Sequence, residues 1–166
     1  MKLAVQPAWQ LELGRRWSEP HRHHHDLEHL REVLDALEGL ASDGLEFDLT
    51  LVRRAAWFHD AVYDVHRDDN EERSAALALR MLPTSSKRDE VARLVMVTKD
   101  HVVGPDDRDG AALCDADLSV LAGTAERYGR YADAIRLEYE HVPDAQYRRA
   151  RARVLTDLLA HDPLYA

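Results

Sequence analysis

The chain has 166 residues, with 22 Lys or Arg against 31 Asp or Glu, so its formal net charge is −9. This acidic surplus argues against a nucleic-acid polymer or an anionic membrane surface as partner, because both attract clustered cations. The length fits a single domain over residues 1–166, the lone Cys114 excludes an internal disulfide framework, and the short apolar start at residues 1–7 excludes a secretory signal, so we expect a cytoplasmic protein.

Helical periodicity dominates the chain, and no strand-like alternation of apolar and polar residues is sustained. Helices are predicted over residues 8–17, 26–40, 49–59, 71–81, 87–98, 110–121, 124–141 and 145–160. Asp26 is the predicted N-cap of the second helix, Pro83 ends the fourth, and Pro143 begins the last. The sequence therefore predicts an all-α fold, a compact bundle of many helices.

A carboxylate lies in the middle of the apolar stripe of the sixth predicted helix. At about 100° per residue, the apolar neighbours within roughly 60° of Asp117 are Leu113, Cys114, Val120 and Leu121. A buried, unpaired carboxylate is costly unless it is protonated, ion-paired or bound to a metal. From this helix alone, a cap or a core salt bridge is as good an interpretation as a functional group.

The third predicted helix carries His59 and Asp60 towards the interior. The side chains on the same face as His59 are Val52, Ala55, Ala56, Val62 and Tyr63. A lone buried histidine is more often an ordinary core residue than a ligand. A buried His–Asp pair together with a buried Asp117 favours a functional site instead.

A third element contributes His29, at the edge of the apolar stripe of the second helix, with His25 one turn before it. His29, His59, Asp60 and Asp117 together supply two imidazoles and two carboxylates. Such a donor set suits a divalent Mn, Fe, Co, Ni, Zn or Mg ion. An octahedral ion would keep open positions for water and substrate, whereas four ligands could close the site of a zinc ion.

The histidine-rich segment 21–25 lies just before His29. Most of it is interpreted as a surface turn or a structural segment. Arg22 and His25 are the two residues predicted to approach the site, because a guanidinium there would bind a phosphate by paired hydrogen bonds.

His29, the pair His59-Asp60, and Asp117 resemble the H…HD…D signature of the HD-domain superfamily of metal-dependent phosphohydrolases. Residues 29–33 and 115–118 resemble the first and last motifs of that superfamily, and in the last motif the second aspartate is the ligand. The resemblance implies an HD-type helical domain whose divalent metal is held by His29, His59, Asp60 and Asp117.

A narrower resemblance is to small bacterial proteins described as predicted HD-superfamily phosphohydrolases. It is carried by residues 18–23, 57–64, 69–75, 115–119, 138–139 and 151–155, and so covers nearly the whole chain. Trp17, His24 and Asp26 depart from that group, which has tyrosine, tyrosine and asparagine there. The last two departures flank His25 and concern the substrate edge of the pocket.

The expected mechanism is attack on phosphorus by a metal-bound hydroxide. Asp64 follows Asp60 by one turn if the third helix continues, and Asp64 or Glu71 is predicted to transfer protons. A surface carboxylate that ends the helix is an equally good interpretation of Asp64. The substrate side of the site is predicted to include Ser74, Lys99 and His101 in addition to Arg22 and His25.

The predicted function is hydrolysis of a small phosphorylated metabolite, and a nucleotide is favoured by analogy alone. One alternative is an HD-fold di-iron oxygenase, for which His25 and His101 are the available extra ligands. The other is a metal-stabilised helical binding module without catalysis. Tyr128, Tyr131 and Tyr139 lie along one helix and belong to the core or to a homodimer face, of which the core is preferred.

Overall fold

The computed structural model describes residues 7–160 and 165, so the apolar start at residues 1–6 lies outside the described part. All regular structure in the described part is helical, which confirms the predicted fold class. The helices are α1 (Ala8–Arg16), α2 (Leu27–Ser42), α3 (Leu49–Phe58), α4 (Asn70–Met81), α5 (Ser86–Val97), α6 (Arg108–Asp117), α7 (Ala125–Glu138) and α8 (Asp144–Leu159), with a 3₁₀ turn at Leu118–Ala122.

The predicted N-cap of α2 is confirmed. The Asp26 carboxylate accepts hydrogen bonds from the backbone N–H groups of Glu28 at 2.8 Å and His29 at 3.2 Å. A side-chain oxygen at this position satisfies N–H groups that lack a partner within the helix. The cap therefore fixes the start of α2 directly before His29.

The third, sixth and seventh helices end earlier than predicted, and the seventh, predicted to residue 141, ends at Glu138. The third ends at Phe58, because the backbone N–H of Val62 donates to the Ser74 hydroxyl at 3.0 Å rather than to a helical carbonyl. Asp60 therefore lies in a turn instead of on a helix. The sixth tightens into the 3₁₀ turn directly after Asp117.

The main hydrophobic core is formed by residues of helices α1 to α6 and of the segments that join them. Its largest fully buried side chains include Trp17, Phe58, Leu37, Leu94 and Leu113. Each such side chain contributes about 1.5–3 kcal/mol by leaving water. Helix α2 packs against both α3 and α6, so residues on the facing sides of these three helices meet in the interior.

A smaller core cluster joins α7 to the 3₁₀ turn. It consists of Val120, Tyr131 and Ile135, with Tyr128, Tyr139 and Tyr147 packed against it. The core interpretation of the tyrosines therefore holds, and a homodimer stays a prediction. Every helix within residues 7–160 is too short or too polar to span a lipid bilayer.

Candidate metal centre

Three helix ends bring His29, His59 and Asp117 together. The two Nε2 atoms of the histidines lie 3.3 Å apart. Asp117 Oδ1 lies 3.1 Å from His29 Nε2 and 3.5 Å from His59 Nε2. The three donor atoms fall within 4.8 Å of one another, and both histidines are buried. This spacing lets the three side chains bind one ion.

Asp60 is placed beside this cluster by the turn that follows α3. Its Oδ2 lies 3.3 Å from His59 Nε2. Burial opposes ionisation of Asp60 and Asp117, but the charge of His59 outweighs it and keeps the pKa of each carboxyl below its usual range. Both carboxylates are therefore ionised near neutral pH and able to bind a cation.

The ligand atoms are held in position by a second set of contacts. His59 Nδ1 lies 2.8 Å from the carbonyl oxygen of Ala56, to which it donates, so Nε2 is the nitrogen that faces the cluster. Burial opposes the charged ring, but Asp60 and Asp117 raise the pKa of His59, so a metal ion would replace the proton on Nε2. His101 Nε2 lies 2.9 Å from Asp117 Oδ2. His101 has a φ of 55°, a left-handed conformation that is uncommon for a residue with a side chain. The contact with Asp117 gives this strained residue an orienting role.

The chemistry of the donor set fits a divalent ion. Two imidazole nitrogens and two carboxylate oxygens are the mixed N/O set that Mn, Fe, Co, Ni or Zn accepts. Orientation of His59 by a backbone carbonyl is the usual arrangement around metal-binding histidines. His29, His59, Asp60 and Asp117 would therefore hold the metal.

A cavity of about 420 Å³ opens in front of Asp60 and Asp117. Its other walls include His25, Glu71, Lys99, His101, Tyr131 and Arg151. A larger groove of about 790 Å³ shares only His101 with this cavity and contains none of the four candidate ligands. The smaller cavity is therefore the candidate substrate site.

The cavity brings together four of the residues predicted to act on substrate: Glu71, His25, Lys99 and His101. Burial raises the pKa of the Glu71 carboxyl above that of an exposed glutamate, which is the direction that suits a proton-transferring group. Lys99 donates to the carbonyl oxygen of Asp68 at 3.2 Å and forms an ion pair with Glu72. Much of its positive charge is therefore already neutralised.

Arg22 has a different position from the one predicted. Its side chain is fully buried, and its Nη1 donates to the carbonyl oxygens of His25 at 2.9 Å and Asp60 at 2.8 Å. Nη2 donates to the carbonyl oxygen of Ala61 at 3.4 Å, and Nε donates to Glu19 at 3.1 Å. Since these bonds occupy the guanidinium, the predicted phosphate contact is corrected: Arg22 fixes the turn that carries Asp60.

Replacement of Arg22 by methionine should lower the free energy of unfolding by about 2–4 kcal/mol, because buried carbonyl oxygens lose a charged donor. Metal affinity should fall about 10- to 100-fold, as is usual when a group that orients a ligand is removed. Urea denaturation and metal titration measure the two effects. Arg31→Met, at a site whose side chain is 64% exposed, is the control. An Arg22 variant of normal stability and metal affinity with a raised KM would restore the phosphate-binding prediction.

Asp64 and Ser74 do not line the candidate substrate cavity. The helical continuation on which the Asp64 prediction depends is wrong, since α3 ends at Phe58. Asp64 Oδ1 accepts from the N–H of His66 at 3.0 Å, and Asp64 lines a separate surface pocket. The buried Ser74 hydroxyl binds the N–H and the carbonyl of Val62, which makes it a clamp on the turn after α3 rather than a substrate ligand.

Glu138 is a buried residue beside the site that the sequence analysis did not assign. Its Oε1 accepts from the backbone N–H groups of residues 23, 24 and 25 at 2.8, 2.8 and 3.0 Å. Its Oε2 lies 2.7 Å from His25 Nδ1 and accepts from the Tyr63 hydroxyl at 2.8 Å. Glu138 therefore holds His25 at the rim of the cavity. The spacing Tyr131, Ile135, Glu138 on the buried side of α7 is the signal that could have revealed it.

Comparison with protein families gives one match. The model of the HD domain matches residues 26–143, more than half of the chain. The matched range begins at the cap of α2, ends just before α8, and contains all four candidate ligands. No curated protein and no solved structure matches the chain.

Proposed function

The chain belongs to the HD-domain family, and from this premise we propose that it is a metal-dependent phosphohydrolase acting on a small phosphorylated metabolite. The main support is the convergence of His29, His59 and Asp117, with Asp60 beside them. Two of these residues, Asp60 and Asp117, also line an open cavity. A nucleotide is the first class of substrate to examine, by analogy with fold relatives.

A divalent ion in this site would supply an activated water at neutral pH and would draw charge from a phosphoryl oxygen. The protein's own groups supply the rest. His101 orients the Asp117 carboxylate, and Glu138 orients the His25 ring at the cavity rim. Glu71, whose carboxyl has a raised pKa, would accept or return a proton from its position in the cavity wall.

The di-iron oxygenase alternative needs further ligands from His25 and His101. His25 Nδ1 is committed to Glu138 at 2.7 Å, and its Nε2 lies 4.0 Å from Asp60 Oδ2. His101 Nε2 is committed to Asp117 at 2.9 Å. The contact with Asp117 favours an orienting role for His101, whereas the Glu138 contact leaves Nε2 of His25 available to a metal. These two histidines therefore offer the oxygenase one further ligand, His25, instead of two.

Hydrolysis of phosphate esters should require added metal and disappear with a chelator, because without a cation the carboxylates of Asp60 and Asp117 would repel the anionic ester from the cavity. The measurement is phosphate release from a panel of phosphorylated metabolites, including nucleoside monophosphates, after chelation and resupply of each candidate divalent ion. Full hydrolysis by the chelated protein would contradict the proposal. Oxygen consumption with ferrous iron, without phosphate release from any ester, would favour the oxygenase.

A further inference from the structure

Three Lys or Arg side chains line the cavity, and two of them pair with a carboxylate. Arg67 binds both carboxylate oxygens of Asp69 at 2.6 Å, and Lys99 pairs with Glu72. Arg151 differs, because within residues 7–160 and 165 its hydrogen-bond partner is the neutral hydroxyl of Tyr131 and no carboxylate lies within ion-pair distance of it. Among the described residues that line the cavity, Arg151 is therefore the arginine or lysine without a carboxylate partner.

A series of ring contacts leads from Arg151 to the metal centre. Its guanidinium carbon lies 5.0 Å from the centre of the Tyr131 ring. That ring packs edge-on against His24 at 4.6 Å, and His24 lies 4.6 Å from the ring of the candidate ligand His29. Tyr131 and His24 are both buried, so these ring contacts hold the arginine in a fixed position.

The cavity needs such a cation to accept a phosphate. Asp60, Asp117 and Glu71 make its floor and wall acidic, and a divalent ion offsets only part of that charge. A guanidinium has five N–H donors in a planar fork that matches two phosphate oxygens. Since Tyr131 accepts from one nitrogen only, Nη2, the remaining donors of Arg151 stay available for an anion.

We propose that Arg151 binds the phosphoryl oxygens of the substrate, which is a phosphomonoester dianion; the inference rests on the proposed phosphohydrolase function. Arg151 belongs to α8, which begins after the matched residues 26–143. The metal centre is thus built by the family domain, and the phosphate-recognising residue is supplied by the helix that follows it.

The test compares Arg151→Gln with Arg153→Gln, an exposed arginine two positions along the same helix. The probe is inorganic phosphate, titrated by calorimetry into metal-loaded protein. Arg151→Gln should weaken phosphate binding about 10- to 100-fold, the range for loss of a charge-assisted hydrogen bond. Metal affinity and the circular dichroism spectrum should stay unchanged, and Arg153→Gln should bind phosphate normally.

Arg151→Lys is the second variant, because it keeps the charge but loses the planar fork. We expect it to bind phosphate with an affinity between those of wild type and Arg151→Gln, even if the glutamine variant folds poorly. Equal phosphate affinity in wild type and all three variants would overturn the inference, as would failure of the metal-loaded wild type to bind phosphate.

The two proposals fail separately. If phosphate binding depends on Arg151 but no ester is hydrolysed, the phosphate site stands and the phosphohydrolase proposal fails. If esters are hydrolysed and Arg151→Gln changes neither KM nor phosphate affinity, the phosphohydrolase stands and the role of Arg151 is overturned.

Discussion

Alanine in place of His59 or Asp117 should lower metal affinity by more than about 100-fold, beyond the loss typical of residues that only orient a ligand. The reason is geometric, since Asp117 Oδ1 and the two histidine Nε2 atoms lie 3.1–3.5 Å from one another. The rate of hydrolysis should fall as bound metal is lost. Metal content after dialysis and phosphate release under saturating metal are the measurements.

Asp115 supplies the matched control for Asp117. It lies two positions earlier on α6 and does not belong to the ligand cluster. Asp115→Ala should therefore keep the metal, and both variants should retain a helical circular dichroism spectrum. If Asp115→Ala loses the metal while Asp117→Ala keeps it, the assignment of the ligand on α6 is wrong.

The accuracy of the predicted site positions depended on where each helix ends. Asp117 is the last residue of α6, so Leu113 and Cys114 before it place it correctly on the apolar stripe, although Val120 and Leu121 after it lie in the 3₁₀ turn. His59 caps α3 and still follows the helical direction. Asp64 was extrapolated across the end of α3, where the helical period no longer applies.

The end of α3 is determined by contacts from distant parts of the chain. Arg22 donates to the carbonyl oxygens of Asp60 and Ala61, and Ser74 binds Val62 from α4. No proline or glycine marks this end in the sequence. Because these hydrogen bonds join residues 12–39 positions apart, local patterns could not predict the turn.

The lack of a local signal for long-range contacts also explains why the sequence predicted that Arg22 binds substrate. An arginine beside histidines favours a phosphate ligand on chemical grounds. Whether it faces a cavity or buried carbonyl oxygens depends on the tertiary packing around it. The spacing on α7 marks Glu138 as buried, but its partner His25 lies 113 positions away, so no local pattern identifies the contact between them.

The second large effect is expected at Glu71, which lines the cavity where Asp64 does not. Glu71→Gln should lower kcat by about 10²- to 10⁴-fold, the usual contribution of a proton-transferring side chain. Glutamine has nearly the same shape as glutamate but cannot exchange a proton at neutral pH, so metal affinity and KM should change little. Steady-state kinetics with saturating metal gives the two parameters separately.

Asp64→Asn is the control, because Asp64 lines a different pocket. This variant should lose less than about tenfold in kcat, well below the range for loss of a proton-transferring group. A large loss at Asp64 with none at Glu71 would reverse the assignment.

The pH profile provides an independent measurement of the role of Glu71. A proton acceptor must be ionised, so activity should decline as the pH falls through the pKa of Glu71. Burial raises that pKa above its ordinary value, because the charged form is poorly solvated, and the acidic limb should therefore lie at a higher pH than for an exposed glutamate. In Glu71→Gln the residual activity should lack this limb. An unchanged acidic limb in that variant would assign the proton transfer to another group.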